Sequence, residues 1–255
     1  MKFFTFICFY LCYINLFAQQ SNILVEYEYE NLFYKNSETL IANNKNAKII
    51  TGELKKTNNK GYVKNDDGNY EVFQKHIFIR KKEIFATAIS NNLNIKMPYK
   101  KKKILLVKDS IVSLNWKLSS DETKKIGKFN CSKAMLNFRG RNYVVWYTNE
   151  IPVPFGPWKF KNLPGLILQA YNTEKNDKFI WTAKNIIFPF KNTDEIIFKK
   201  TNDKKIVTLQ EFITLKDKER LNKNKISTAR LPKNTKQTSY KSIRKGLELI
   251  YEWEE

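Results

Sequence analysis

The chain has 255 residues, enough for one substantial domain, and its 14% aromatic content with five tryptophans excludes a disordered chain. Its formal net charge is +21. A nucleic-acid partner is not expected, because the lysines are spread along the chain and no zinc-finger, RNP or helix-turn-helix pattern is present. We interpret the charge as a solvated lysine-rich surface, with attraction to anionic envelope lipid or polysaccharide as a second use.

The amino-terminal residues have the pattern of an export signal. Lys2 gives a positive start, an apolar run extends to Phe17, and the small residue Ala18 precedes a cleavage point. We therefore predict that residues 1–18 are a signal peptide and that the mature protein is periplasmic or secreted. No later apolar run is long enough to span a membrane, so no transmembrane segment is expected in the mature chain.

Residues 19–222 are predicted to form one β-rich domain. Val25 to Glu30 alternates apolar and acidic residues, which indicates a half-buried strand. Leu114, Trp116 and Leu118 are expected to share one face of a strand. Further β-rich runs are expected at 70–80, 83–90, 104–107, 134–138, 143–147, 166–170 and 179–183. The predicted fold class is mainly β, an antiparallel and strongly curved sheet or open barrel with one C-terminal helix.

The carboxy-terminal part follows this sheet. Thr208 and Glu211 have the spacing of a capping box, which predicts a helix that ends near Asn222. Residues 223–255 are interpreted as a basic connection and a C-terminal strand that packs on the same domain. The strand is expected from the alternation of Leu247, Leu249, Tyr251 and Trp253 with charged and other residues.

The stretch from Glu150 to Tyr171 is predicted to be stiff, because four of the seven prolines lie in it. Leu163-Pro164-Gly165-Leu166 has the pattern of a type II turn, which requires a positive φ at Gly165. The turn is expected to set the register of the strand that begins at Leu166 and Ile167. The residues of this structural motif are Pro152, Gly156, Pro157, Leu163, Pro164, Gly165, Leu166 and Ile167.

The run FRGRNYVVWYTNEIP, continued as PxPxGPWKFKNLPGLIL, resembles the signature of the GLPGLI family of exported Bacteroidetes proteins. Asn162 stands where the first glycine of the namesake motif usually is. The resemblance implies an exported envelope protein for which no catalytic activity is established, and a setting beside outer-membrane transport systems.

Residues for common catalytic chemistry are scarce. His76 is the only histidine, and Cys131 is the only cysteine left after removal of the signal peptide with Cys8 and Cys12. Cys131 is predicted to be a buried, unreactive side chain. Neither a metal nor a cofactor is expected, since transition-metal clusters cannot be assembled and no Walker, dinucleotide or Gly-x-Ser-x-Gly motif is present.

Two groups of residues are candidates for a binding site. Arg139 and Arg141 lie in the predicted hairpin connection 139–142, where they would hold an anionic ligand or acidic partner, or would stabilise the turn through backbone carbonyls. Aromatic residues would line a groove or would pack in the core. These aromatic candidates are Trp116, Trp146, Phe155 and Trp158.

The leading hypothesis is a non-enzymatic envelope module that binds an apolar ligand, a peptide or an outer-membrane partner. One alternative is a hydrolase, which needs two carboxylates that converge across a cleft. The carboxylates near the recognisable motif are Asp109, Asp121, Glu122 and Glu150. A second alternative is a structural component of the envelope.

We predict that the exported protein lacks residues 1–18, since cleavage after Ala18 follows from the signal pattern. Amino-terminal sequencing of the exported protein should begin at or near Gln19. A membrane-embedded product that retains Met1 would contradict this prediction.

Overall fold

The computed structural model describes residues 22–32, 34–52, 61–64, 70–73, 81–99, 103–174, 177–191, 196–200, 206–229, 244 and 246–254. His76, the signal segment 1–18 and part of the run 70–80 lie outside these residues. The expectations for them remain predictions.

Fourteen strands and one helix are present in the described residues. The strands are β1 (Asn22–Asn31), β2 (Lys35–Ala42), β3 (Asn46–Thr51), β4 (Gly61–Lys64), β5 (Tyr70–Phe73), β6 (Lys82–Thr87), β7 (Asn92–Tyr99), β8 (Lys103–Ser110), β9 (Lys117–Ile126), β10 (Phe129–Phe138), β11 (Arg141–Thr148), β12 (Leu166–Asn172), β13 (Phe179–Phe190) and β14 (Ile206–Thr208). The helix α1 spans Leu209–Ala229. Strands β4 and β5 form a separate two-stranded ladder.

The other twelve strands form one open sheet in the order β14-β8-β7-β6-β3-β2-β1-β13-β12-β11-β10-β9. The predicted mainly β class with a helix near the carboxy terminus is confirmed. The prediction of a purely antiparallel sheet is wrong, because β14 pairs in parallel with β8. Strand β14 reaches β8 through a long connection rather than a hairpin, so the connection does not impose an antiparallel direction.

One face of the sheet carries the hydrophobic core. In β1, Ile23, Val25 and Tyr27 are buried while Glu26 is exposed, which confirms the predicted alternation. The same alternation holds in β10, where the predicted face of Ala134, Leu136 and Phe138 is buried. Cross-strand register aligns one row of buried side chains across six neighbouring strands. This row consists of Val25, Leu40, Ile49, Ile84, Ile95 and Val107.

Residues 150–165, which we call the strap, connect β11 to β12 and lie against this buried face. Phe155, Trp158 and Phe160 of the strap are each at most 2% exposed. Trp158 stacks on Trp181 of β13 at a ring distance of 6.0 Å, and Phe160 meets Tyr143 of β11 edge-on at 5.0 Å. The stiff segment predicted from its prolines therefore supplies the aromatic centre of the core.

The predicted type II turn at Leu163–Leu166 is wrong. Gly165 does not have a positive φ, whereas Asn162 does, with a φ of 69°. Glycine is required at 165 for a different reason, since a Cβ there would lie 2.6 Å from the carbonyl carbon of Thr148. Asparagine adopts the left-handed conformation more readily than most residues. The LPGLI motif thus depends on the close approach of Gly165 to the backbone of Thr148 and on the left-handed conformation of Asn162.

The carboxy-terminal elements depart from the expectations in two respects. The capping box is confirmed, because Thr208 N donates to Glu211 and Glu211 N donates to the Thr208 hydroxyl. The helix runs to Ala229 rather than to Asn222, since no glycine or proline follows before Pro232. Residues 246–254 do not form the predicted strand. Within the described chain, no helix combines the length and the apolarity that a membrane crossing requires.

The segment before β9 also differs from the expectation. Residues 111–116 are irregular and β9 begins only at Lys117. Leu118 is 59% exposed whereas Leu114 is buried and precedes β9, so the expectation that the two share one face of a half-buried strand is wrong. Trp116 instead points to the strap and donates its indole N–H to the carbonyl oxygen of Lys161.

We predict that Gly165→Val destabilises the protein by about 3 kcal/mol or more, because the added side chain must displace the backbone at Thr148. Asn162→Gly is the matched control, since glycine adopts the left-handed conformation at no steric cost. Urea unfolding followed by tryptophan fluorescence measures both. Equal midpoints for Gly165→Val and the wild type would contradict the close approach to Thr148.

Candidate functional site

The β10–β11 hairpin places two arginines at one end of the sheet. Its turn consists of Arg139 and Gly140, with φ angles of 47° and 79°. Two consecutive left-handed residues are typical of a type I′ turn, whose twist matches that of antiparallel strands. The predicted hairpin connection is therefore confirmed. Arg139 is an uncommon residue for the first position, and the contacts of its side chain offset that cost.

The guanidinium of Arg139 is buried and is surrounded by three carboxylates. Nη2 and Nη1 donate to the two oxygens of Asp109 at 2.7 and 3.1 Å, which is a bidentate pair. Nη1 also lies 2.5 Å from Glu248, and Nε lies 2.9 Å from Glu252. These carboxylates raise the pKa of Arg139 although burial alone would lower it.

Lys159 of the strap is the second cation of this cluster. Its Nζ lies 2.7 Å from Asp109 and 2.5 Å from Glu248, and its side chain is buried. Burial alone would raise the pKa of Asp109, but Lys159 and Arg139 outweigh it and hold this pKa below its ordinary value. We call Arg139, Lys159, Asp109, Glu248 and Glu252 the ion cluster. It joins β8, the hairpin, the strap and the carboxy-terminal residues.

The residues 246–254, which we call the tail, are held on the hairpin through their backbone as well. Arg139 O accepts hydrogen bonds from Leu249 N at 2.9 Å and Ile250 N at 3.3 Å. Tyr143 donates its hydroxyl to Leu247 O at 2.6 Å. Two donors of the tail converge on one carbonyl, which explains why the alternating sequence does not build a strand ladder.

Arg141 holds the start of the tail. Its Nε donates to Gly246 O at 2.7 Å, and its guanidinium also contacts Asp177 and Glu174. Inside the chain, both arginines are therefore engaged by acceptors from outside their own turn. They bind carboxylates, and Arg141 also binds a backbone carbonyl.

Tyr251 is the buried side chain of the tail, at 4% exposure. Its ring lies 5.2 Å from the Arg139 guanidinium and 4.8 Å from that of Arg244. Arg244 also donates to Glu254 and to Asp217 of α1. The tail is thus linked to the helix as well as to the hairpin.

The strap is also held by hydrogen bonds to strands distant from the hairpin in the sheet order. Trp158 N donates to Glu38 of β2 at 2.5 Å. Lys161 Nζ donates to the carbonyls of Thr87, the last residue of β6, and of Ser90, which follows it. Burial raises the pKa of Glu38, and the charge of Lys82 and the Trp158 N–H only partly offset this. Burial lowers the pKa of Lys161.

The aromatic candidates are divided between the two faces of the sheet. Trp116 and Trp158 both contact Phe160 in the core, and Phe155 is buried there too. Trp146 alternates with Val145 along β11 and lies on the opposite face, where Lys124 Nζ is 5.5 Å from its ring. The structure therefore does not bring these residues together in one groove.

The carboxylate candidates are also separated. Asp109 belongs to the ion cluster, whereas Glu122 binds Lys133 and Glu150 accepts from Asn130 N. Asp121 lies beside Glu122 on the edge strand β9. The carboxylate beside Asp109 is Glu248, which the sequence analysis did not single out. The sequence marks Glu248 only as one of several glutamates in the tail. Its proximity to Asp109 has no local pattern, because 139 positions separate the two residues.

Other chemistry is limited in the described residues. Cys131 is buried as predicted, and burial raises the pKa of its thiol to about 11. No group of three or more histidine, cysteine, aspartate and glutamate side chains in the described ranges is arranged to hold a metal ion. An open cavity of about 430 Å³ lies beside α1, lined by Val207, Gln210, Glu211, Thr214 and Leu215.

One family of known sequences matches a short part of the chain. Residues 139–169, which contain the hairpin arginines and the LPGLI motif, match a family described as a protein of unknown function, Porph_ging. Comparison with curated protein sequences gives no match.

Among solved structures, PNGF-II in a P21 crystal form is similar with a TM-score of 0.52 and 16% sequence identity. The match covers 76% of this chain and 32% of that one, so the chain spans about a third of the protein it resembles. A LolA superfamily protein from Nitrosomonas europaea has a TM-score of 0.30 and 9% identity, over 71% of this chain and 91% of that one. The PNGF-II likeness concerns the fold alone.

We predict that Asp109→Asn destabilises the protein by about 3 kcal/mol at neutral pH, because Arg139 and Lys159 lose a buried counter-charge. Since the folded pKa of Asp109 is lowered, this contribution exists above its ordinary pKa of 3.8 and is lost as the pH falls through the folded value. Urea unfolding between pH 3 and pH 7 measures both effects.

Glu122→Gln is the matched control for this prediction, since it removes the carboxylate of an exposed ion pair with Lys133. Its unfolding midpoint should stay close to that of the wild type. An Asp109→Asn protein as stable as the Glu122→Gln protein would show that the ion cluster does not hold these segments together.

Proposed function

We propose that this chain is a non-enzymatic, exported envelope protein that binds a peptide segment of an envelope partner at the β10–β11 hairpin. One observation carries the proposal: the chain's own acidic tail lies on Arg139 and Arg141 as a bound peptide. Such recognition combines main-chain hydrogen bonds with charge-assisted contacts to carboxylates.

The other ligands considered fit the observed contacts less well. An apolar ligand needs an apolar cavity, but aromatic side chains of the strap occupy the buried face of the sheet. The open cavity beside α1 includes the polar residues Gln210, Glu211 and Thr214 in its lining. For a hydrolase, Asp109 would have to act as an acid or base. Its lowered pKa and its two cations make it a poor proton donor, and Glu248 is bound by the same Lys159.

The setting of this function is part of the proposal. The signal pattern at residues 1–18 supports export to the periplasm or beyond, and an outer-membrane transport protein or other envelope component is the proposed partner class. Membership of the GLPGLI family is proposed from the motif ending in LPGLI alone. The family match at 139–169 covers that motif but is to the family described as Porph_ging. Strong curvature of the twelve-stranded sheet is likewise proposed, since twist accumulates over many strands.

A photo-crosslinking amino acid tests the proposal in the native envelope. Lys178 is exposed and adjoins Asp177, a contact of Arg141, so a crosslinker at 178 samples the hairpin. Ile89, which is 99% exposed on another part of the surface, is the control position. We expect a crosslinked envelope polypeptide from position 178 that is absent from position 89. Identical products from both positions, or none from 178, would contradict the proposal.

A further inference from the structure

The tail gives a detailed pattern of what the hairpin site recognises. Two carboxylates four residues apart, Glu248 and Glu252, reach the same guanidinium from one peptide. Between them, Tyr251 is the only tail residue in the described range that is buried. The neighbouring Ile250 and Trp253 are 46% and 36% exposed. The hairpin site therefore contacts the tail through the side chains of a Glu-x-x-Tyr-Glu pattern.

The charge of the site without the tail favours an acidic peptide. Outside the tail, Asp109 is the one carboxylate that Arg139 and Lys159 share among the described residues. Without the tail, the two cations face one negative charge, so the site is positive. The two tail glutamates make it negative, and Glu248 contacts both cations. Removal of the tail would leave a buried cation pair with an incomplete shell of acceptors, which is energetically costly.

The backbone contacts do not depend on the identity of the peptide side chains. Arg139 O accepts hydrogen bonds from two N–H groups of the tail. Tyr143 and Arg141 donate hydrogen bonds to two carbonyl oxygens of the tail. A peptide from another protein can satisfy the same four hydrogen bonds. The site thus combines general recognition of a peptide backbone with specific recognition of two carboxylates and an aromatic ring.

The tail is a tethered occupant of this site. It is covalently joined to α1 through residues 230–245, of which Arg244 binds both Asp217 of the helix and Glu254 of the tail. Tethering gives the tail a high effective concentration, which a free peptide must overcome. Weakening the tail's own contacts should therefore open the site to a second peptide.

We propose that the hairpin site binds, in trans, a segment with the pattern Glu-x-x-Tyr-Glu from a partner protein, in competition with the tail. This inference rests on the proposed function and specifies the chemistry of its partner. The partner segment places its two carboxylates on Arg139 and Lys159, and its aromatic ring takes the place of Tyr251.

Fluorescence anisotropy tests the inference with the purified full chain. The probe is a fluorescein-labelled peptide with the sequence of residues 246–255. The variant Glu248→Gln with Glu252→Gln weakens the tail and leaves Arg139, Arg141 and Lys159 unchanged. Its matched control, Glu26→Gln with Glu122→Gln, removes two exposed carboxylates elsewhere. We expect the first variant to bind the probe about tenfold more tightly than the wild type, and the control variant to bind like the wild type.

Peptide variants test which groups are read. A probe with glutamine in place of both glutamates, or with alanine in place of the tyrosine, should bind the tail variant about tenfold more weakly. Binding of the parent probe should weaken as salt increases, since the contacts are ionic. Arg244→Ala serves as a second tail variant, because it removes the link to Asp217 of the helix together with the contacts of Arg244 with Leu249 O, Glu254 and the Tyr251 ring. It too should strengthen probe binding.

Three results would overturn the inference. The first is equal binding of the probe by the wild type and both tail variants. The second is equal binding of the parent and glutamine probes. The third is a dimer of the tail variants in native mass spectrometry without uptake of probe, which would assign the site to a second copy. A crosslinked partner at position 178 together with any of these results would leave the proposed function standing.

Discussion

The structure depends on the pairing of Asp109 with Arg139 and Lys159. Asp109 is fully buried at the end of β8, and its two cations come from the hairpin and the strap. A buried carboxylate is stable as an ion only if it is closely paired and hydrogen-bonded. Hairpin, strap and β8 must therefore be in place together. The two tail glutamates complete the shell of acceptors around the same cations.

The strap shows how a proline-rich connection becomes part of a core. Its prolines restrict the backbone, so less conformational freedom is lost when Phe155, Trp158 and Phe160 are buried. Polar contacts hold it at separate strands, through Glu38 at β2 and through Lys161 after β6. Trp158 has a φ of 54°, an unfavourable value for a bulky residue. The stacking on Trp181 and the N–H bond to Glu38 offset this strain.

The tail changes how the hairpin arginines are understood. Arginine is scarce in this basic chain, and both hairpin arginines are buried on acceptors rather than dispersed over the surface. Planar guanidinium groups suit such sites because they bind carboxylates in a bidentate manner and also lie against aromatic rings. Most lysines in the described ranges are exposed or half-buried, which agrees with a solvated basic surface. The contacts of the tail therefore depend on two arginines and one buried lysine, and not on net charge.

The sequence by itself determined the mainly β class, the alternation in β1 and β10, the hairpin at 139–142 and the capping box of α1. These features depend on neighbouring residues, so local pattern is sufficient to predict them. Only the tertiary structure decided the direction of β14, the reason for glycine at 165 and the fold of the tail. It also decided that Glu248 and Glu252 meet Asp109 and Lys159 around Arg139. The contacts of the two tail glutamates join residues 89 or more positions apart. No local spacing records them, because packing of the strap and tail on the sheet creates them.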